Sequence, residues 1–110
     1  MSGKNPDRRL DPVLARFRLA VDEIYGDRVE RVVLFGSRAR GEESAESDYD
    51  VAVFLRGMDD RWREMNCLAD IGTKILYDEG KVIHAMPYRA GSYHDRTPLM
   101  HEIRKDGLDI

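Results

Sequence analysis

Apolar positions recur along the first half of the chain at two different spacings, which predict a helix followed by two strands. Asp11-Pro12 is a typical helix start, and the apolar residues that follow it recur at helical spacing until Gly26. Two continuous apolar runs, Val29–Phe35 and Asp48–Leu55, then indicate buried strands. The apolar positions assigned to the first helix are Val13, Leu14, Phe17, Val21 and Ile24.

The second half of the chain predicts two more helices with a strand between them. A long helix begins near Asp59-Asp60 and stops at Gly80. Residues 81–88 read as a third strand, in which Pro87 indicates an edge position. After a loop over residues 89–96, Thr97-Pro98 caps a last helix that ends at Gly107. The apolar face predicted for the long helix consists of Trp62, Met65, Leu68, Ala69, Ile75 and Leu76.

This order of elements predicts an α/β (α+β) fold: a small mixed β-sheet of three to five strands, covered by helices on one face. The connection between the first two strands, residues 36–47, is short for a parallel crossover and long for a tight hairpin. Repeats and linkers are absent from the sequence. We therefore interpret residues 1–10 as a flexible N-terminal tail and residues 11–110 as a single domain.

Composition narrows the classes of function. The net charge is −3 and the basic residues are scattered, which argues against a nucleic-acid partner. A single cysteine, Cys67, excludes a disulfide framework and favours a reducing cytoplasm. Neither a membrane-spanning stretch nor the apolar segment of a signal peptide is present. At 110 residues, we expect a large substrate to need a partner chain or a homo-oligomer to complete its site.

The most informative motif places two carboxylates beside a glycine-serine turn. Asp48 and Asp50, at i and i+2 on a strand, point to one face about 7 Å apart. They can converge on one metal ion, or on two ions about 4 Å apart. Gly36-Ser37, at the end of the preceding strand, offers backbone N–H groups to a phosphate. This combination is what metal-assisted phosphoryl or nucleotidyl transfer requires.

Each residue around the motif has a structural interpretation beside the functional one. Gly36 either lets a triphosphate approach the backbone or only permits a turn. Ser37 binds a phosphate or caps its own short helix. Ser47 caps the strand end or orients an aspartate. Asp48 and Asp50 are costly in a strand beside an apolar run, which favours metal binding.

Two arginines are the only basic pair beside this motif. Arg38 and Arg40 could clamp phosphate oxygens through charge-assisted hydrogen bonds. They could equally be solvated or paired with Glu42, Glu43 or Glu46.

The combined motif resembles that of a known family. Leu34-Phe-Gly-Ser-Arg-Ala-Arg-Gly41, followed by Ser47-Asp-Tyr-Asp-Val-Ala-Val53, is similar to the signature of the DNA-polymerase-β-type nucleotidyltransferases, in particular their minimal (MNT) branch. The resemblance implies a polymerase-β-like fold and Mg²⁺-dependent transfer of a nucleoside monophosphate, AMP from ATP, to a hydroxyl acceptor. It implies Asp48 and Asp50 as catalytic metal ligands, and Gly36, Ser37, Arg38, Arg40 and Ser47 as nucleotide-binding residues.

One position departs from the family pattern. Members that catalyse transfer usually place a third carboxylate on a neighbouring strand, and residues 81–88 contain no acid. His84 lies near the expected position. It is either a substitute that acts as base or metal ligand, or a filler on the inner face of the sheet.

The resemblance also implies a partner. MNT proteins are often paired with a helical HEPN toxin, so the acceptor would be a tyrosine of that toxin and the chain its antitoxin. The alternative is a catalytically inactive module that binds nucleotide or the partner and neutralises the partner by occlusion. The intact Asp-x-Asp favours the enzyme, and the missing acid favours the module.

Overall fold

The computed structural model describes residues 11–42 and 48–110, which form four helices and a four-stranded sheet. The predicted tail and the predicted site residue Ser47 lie outside the described residues. The helices are α1 (Pro12–Tyr25), α2 (Ser37–Arg40), α3 (Arg61–Glu79) and α4 (Pro98–Asp106). The strands are β1 (Val29–Phe35), β2 (Tyr49–Leu55), β3 (Ile83–Arg89) and β4 (Leu108–Asp109).

The sheet is mixed, as predicted, and has the strand order β3-β2-β1-β4. Strand β1 pairs antiparallel with β2 and with β4, while β2 and β3 run parallel. The long helix α3 makes the crossover that the parallel pair requires. Strand β4 was not predicted, because two residues carry no periodicity.

The helices cover both faces of the sheet, so the expectation of a single covered face is wrong. Alternate residues of β2 point to opposite sides, and from Val51 onward both sets are apolar. Val51, Val53 and Leu55 join the core under α1 and α3. Ala52 and Phe54 join a second core with Val33, Met100 and Ile103, the last two from α4.

Four side chains predicted to be apolar helix contacts, those of Ile24, Trp62, Ala69 and Leu76, are exposed to solvent instead. Trp62 is 73% exposed, and Ile24 and Leu76 are about half exposed. The buried stripe of α3 follows Leu68, Ile71 and Ile75 at helical spacing. Trp62 and Leu76 lie off that stripe, so the sheet cannot reach them.

Within the described residues, no helix is long and apolar enough to cross a membrane.

A buried carboxylate links α3 to the end of α1. Glu64 is 3% exposed and accepts hydrogen bonds from the Tyr25 hydroxyl at 2.9 Å and from Arg28 Nη2 at 3.0 Å. Burial alone would raise the pKa of Glu64, but these two donors outweigh it and lower the pKa below its usual value. The carboxylate therefore stabilises the fold in its charged form.

Replacing this carboxylate should change how stability depends on pH. At pH 7 we expect Glu64→Gln to lower the free energy of unfolding by about 1–3 kcal/mol, because charged hydrogen bonds are lost. A carboxyl group with a lowered pKa in the folded state stabilises the fold when the pH is above its pKa in the unfolded state. This stabilisation disappears as the pH falls through its pKa in the folded state. The difference from wild type should therefore shrink below about pH 4. Thermal unfolding between pH 7 and pH 3 measures it.

The exposed Glu23 on α1 provides the matched control. Glu23→Gln makes the same chemical change without a buried partner, and its stability should stay within about 0.5 kcal/mol of wild type. An equal loss in both variants would contradict the stabilising role of the Glu64 cluster.

Candidate active site

The two aspartates of the motif lie where β2 begins. The first ladder hydrogen bond on this side runs from the Tyr49 N–H to the Val82 carbonyl at 2.9 Å, so Asp48 directly precedes the strand instead of opening it. Asp50 lies opposite Phe35 in the β1–β2 register. Tyr49, between the aspartates, belongs to the core under α1 and α3. Strand alternation therefore directs Asp50 to the face that α4 partly covers.

His84 lies beside these aspartates, so its interpretation as a filler on the inner face is wrong. It is the partner of Asp50 in the β2–β3 register. Its side chain is 60% exposed, and Nε2 lies 2.8 Å from Asp48 Oδ2. Because an ionised carboxylate only accepts hydrogen bonds, Nε2 carries the hydrogen in this contact. The structure thus brings Asp48, Asp50 and His84 together.

The carboxyl group of Asp50 has an unusual electrostatic environment. Its partial burial raises its pKa, His84 and Arg40 lower that pKa, and the neighbouring Asp48 adds to the rise. The net direction is upward. A cation bound between the two aspartates would stabilise the charged form that burial and mutual repulsion disfavour.

Gly36 forms the contact between the turn and the aspartates. It has φ +78° and precedes α2, and its carbonyl accepts hydrogen bonds from the N–H groups of Ala39 and Arg40 at 3.1 and 3.2 Å. A Cβ atom at Gly36 would lie 2.5 Å from Asp50 Oδ2. Only glycine allows this backbone conformation and this close approach together.

Ser37 is the first residue of α2 and is half-buried. The residue in the N-cap position is Gly36, and none of the side chains that the structure describes caps α2 with a hydrogen bond. Ser37 therefore does not have the N-cap role that was the alternative to phosphate binding.

The two arginines of α2 have different surroundings. Arg38 is nearly buried, with its guanidinium carbon 3.9 Å from the centroid of the Tyr49 ring. Arg40 is exposed; its Nε lies 2.8 Å from Glu42 Oε1 and its Nη1 lies 3.9 Å from Asp106 Oδ2 on α4. The predicted pairing with Glu42 thus holds for Arg40. The predicted partners Glu43 and Glu46 lie outside the described residues.

The carboxylates suit a metal that arrives with its own ligands. Among residues 11–42 and 48–110, no group of three or more His, Cys, Asp or Glu side chains could hold a metal ion by itself. Mg²⁺ in proteins commonly binds one or two carboxylates, and phosphate oxygens and water complete its octahedron. Asp48 and Asp50 fit that donor set.

Two residues of this region were missed by the sequence analysis. Strand alternation between two outward aspartates could have placed Tyr49 in the core. Its contact with Arg38 could not have been found, because it depends on how α2 turns. Asp106, near Arg40, lies on a helix with no motif that connects it to the site.

The close approach at Gly36 predicts a specific cost for a methyl group. Gly57 also has positive φ, at +66°, but a Cβ there would meet no atom of residues 11–42 or 48–110 within 4 Å. Gly57→Ala should therefore cost only the backbone strain, about 1–3 kcal/mol. Gly36→Ala should cost about 1–3 kcal/mol more, because the methyl group displaces the Asp50 carboxylate. Denaturant unfolding of both variants measures the difference, and equal losses would contradict the contact.

Comparison with known proteins identifies the family. The family model described as "Nucleotidyltransferase domain" matches residues 14–95, which include the Gly-Ser turn and both aspartates. A protein of Methanocaldococcus jannaschii named "putative protein adenylyltransferase" is 39% identical over 98 residues, covering 89% of this chain and 95% of the relative.

Two solved structures share the fold. The crystal structure of a toxin–antitoxin with AMP-PNP has a TM-score of 0.58 at 18% identity, covering 84% of this chain and 68% of that one. A "putative nucleotidyltransferase" from Sulfolobus solfataricus has a TM-score of 0.57 at 21% identity, covering 99% of this chain and 90% of that one. The resemblance seen in the sequence and the predicted fold class are thereby confirmed. The chain belongs to the nucleotidyltransferase domain family and is a nucleotidyltransferase.

Proposed function

We propose that this nucleotidyltransferase is a Mg²⁺-dependent protein adenylyltransferase that transfers AMP from ATP to a tyrosine hydroxyl of a HEPN-type toxin, and so acts as an antitoxin. The observation that carries the proposal is the approach of the Gly36 backbone to the Asp50 carboxylate, with Asp48 beside it. A triphosphate at the turn would lie directly next to two metal-binding groups.

The chain's own residues bind and orient the nucleotide. The Gly36 turn lies against the Asp50 carboxylate, so phosphate oxygens held by backbone N–H groups at the turn would lie close to the metal-binding groups, and Ser37 would add a hydroxyl at the same turn. Arg40, exposed and near Asp50, supplies positive charge. Asp48 and Asp50 would hold Mg²⁺, which stabilises the negative charge that develops on the phosphate oxygens.

The reaction follows from this orientation. The acceptor oxygen forms a bond to the α-phosphorus while the bond from that phosphorus to the bridging oxygen of pyrophosphate breaks. The hydroxyl proton passes to solvent, and pyrophosphate leaves with the electron pair of the broken bond. Fixing the triphosphate in line with the acceptor is the main contribution that the protein makes, as in other phosphoryl transfers.

Exposure of the site favours a macromolecular acceptor. The side chains of Asp48 and His84 are 46% and 60% exposed, and β3 is an edge strand of the sheet. An acceptor side chain on another protein can therefore reach the carboxylates from the β3 side. The small chain leaves little material for a closed acceptor pocket, so a partner would complete the site.

The choice of AMP and of a toxin partner is supported by analogy. The relative from M. jannaschii carries the name of a protein adenylyltransferase, and one structural neighbour is a toxin–antitoxin that contains AMP-PNP. The HEPN class of the toxin and the tyrosine acceptor come from the resemblance to the MNT branch. These features extend the family assignment to a substrate and a partner.

His84 takes the position of the third carboxylate in this proposal. Strand β3 supplies His84 opposite Asp50, and β3 contains no acid. Its hydrogen bond to Asp48 orients one oxygen of that carboxylate, Oδ2, and leaves Oδ1 for a cation. The absence of an acid on β3 also favours the second candidate, a module that neutralises its partner by binding alone.

The nucleotide part of the proposal predicts metal-dependent binding. Calorimetric titration of ATP into the wild type should show affinity that increases when Mg²⁺ is added. Asp48→Asn/Asp50→Asn should lose that increase, because neutral amides bind Mg²⁺ much more weakly than carboxylates do. Asp70→Asn, an exposed change on α3, is the control and should behave as wild type. Wild type that binds no ATP with Mg²⁺ would overturn the proposed site.

The transfer part of the proposal predicts where a label goes. Incubation with a purified HEPN-type toxin and Mg²⁺ should move label from α-labelled ATP, but not from γ-labelled ATP, onto a toxin tyrosine. The aspartate double variant should transfer none. Changing the labelled tyrosine to phenylalanine should abolish labelling. Toxin neutralisation without any labelling, undiminished in the double variant, would support the binding module instead.

A further inference from the structure

Behind the site, on the opposite face of the sheet, an arginine is stacked on the tyrosine that separates the two aspartates. Tyr49 is 3% exposed and Arg38 is 8% exposed. The guanidinium carbon of Arg38 lies 3.9 Å from the centroid of the Tyr49 ring. Cation–π attraction is strongest when water is excluded, as it is at this contact.

The other end of Tyr49 is also held. Its hydroxyl donates a hydrogen bond to Asp11 Oδ2 at 2.8 Å. The other oxygen of Asp11, Oδ1, accepts hydrogen bonds from the Val13 and Leu14 N–H groups at 2.8 and 3.3 Å and caps α1. Tyr49 therefore joins α2, β2 and the start of α1 in one set of contacts.

We infer that Arg38 and Tyr49 form a positioning pair that sets the distance between the turn at Gly36 and the carboxylates of Asp48 and Asp50. Arg38 lies two residues after Gly36, and Tyr49 lies directly between the aspartates. Any shift between Arg38 and the Tyr49 ring therefore shifts the turn relative to both carboxylates. Arg38 would affect nucleotide binding through Tyr49, without touching the phosphates.

The contrast with Arg40 supports this division. Arg40 is exposed and close enough to Asp50 to lower its pKa, and it contacts the exposed carboxylate of Glu42 and the half-buried carboxylate of Asp106. Arg38 instead faces the ring of a core residue. Of the two arginines that the sequence offers as phosphate ligands, the geometry points to Arg40 for that role and to Arg38 for positioning.

A double-mutant cycle on the affinity for Mg²⁺–ATP tests the Arg38–Tyr49 pair. The inference rests on the nucleotide site that the proposed function assumes. Arg38→Gln and Tyr49→Leu should each weaken binding about tenfold, from the loss of a buried cation–π contact. The double variant should bind Mg²⁺–ATP no more weakly than the single variant with the lower affinity, because both changes remove the same interaction. Additive losses, or wild-type affinity in Tyr49→Leu, would overturn the inference and make Arg38 an independent contact.

Two further measurements separate positioning from a general loss of structure. Tyr49→Phe keeps the ring that Arg38 contacts and removes the hydroxyl that bonds to Asp11, so its affinity should stay within about threefold of wild type. Arg38→Gln should lose mainly the gain in ATP affinity that Mg²⁺ brings, since displaced carboxylates bind the metal poorly. Equal losses with and without Mg²⁺ would indicate a direct phosphate contact and overturn the inference, even if Tyr49→Leu fails to fold.

Failure of the two proposals can be told apart. Wild type that binds no Mg²⁺–ATP removes the proposed function and this inference together. The inference alone is removed if the wild type binds Mg²⁺–ATP, thermal unfolding shows that each variant is folded, and the cycle shows no coupling between Arg38 and Tyr49.

Discussion

The antiparallel register between β1 and β2 is the constraint on which the site depends. It places Phe35 opposite Asp50, so the chain that leaves β1 must turn directly beside the Asp50 carboxylate. Only a residue without a Cβ can make that turn, because φ is positive and the carboxylate oxygen occupies the space of a side chain. A shift of one residue in the register would direct the aspartates to the core and Tyr49 to solvent.

The register is fixed by burial on both sides of the sheet. From Val51 onward, strand β2 is apolar on both faces, and these residues pack under α1 and α3 on one side and under α4 on the other. The two charged residues at its start lie just beyond this double burial, where the strand emerges from the core. The cost of placing carboxylates at a strand end is thus lower than it would be two residues further on, and the rigid core still holds their backbone.

Most of the fold could be predicted from the sequence because its signals are local. Asp11, Thr97 and the glycines that follow the helices mark element ends, and continuous apolar runs mark the buried strands. The predicted single covered face was wrong because the continuous apolar run over residues 51–55 indicates burial on both faces without showing which helix covers each face. Trp62 was assigned to the core because an apolar residue at a helix start fits more than one stripe until a neighbouring element fixes the stripe.

The candidate site was predictable only in part, because local sequence signals do not show how elements distant in the chain pack together. Asp48, Asp50 and Gly36 could be predicted to lie together because strand order and spacing bring them together. The side-chain directions of His84 and Arg38 depend on tertiary pairing. His84 faces the aspartates because β3 runs parallel to β2 in one particular register, and Arg38 faces the core because α2 is a single short helix that rotates one arginine inward.

In a site of this kind, the chain supplies some of the chemical groups that the reaction needs, and the bound molecules supply the rest. The described residues supply two carboxylates, one imidazole and an exposed arginine, too few to enclose a metal or an acceptor. If the triphosphate brings the remaining metal ligands and a partner brings the hydroxyl, this chain needs only to fix the relative positions of a turn and a strand. That requirement explains why so much of its buried polar structure, Arg38 on Tyr49 and Tyr49 on Asp11, lies behind the aspartates and not around them. Under the proposed function the front of the sheet stays open to the acceptor protein, so positional accuracy comes from contacts at the rear of the sheet.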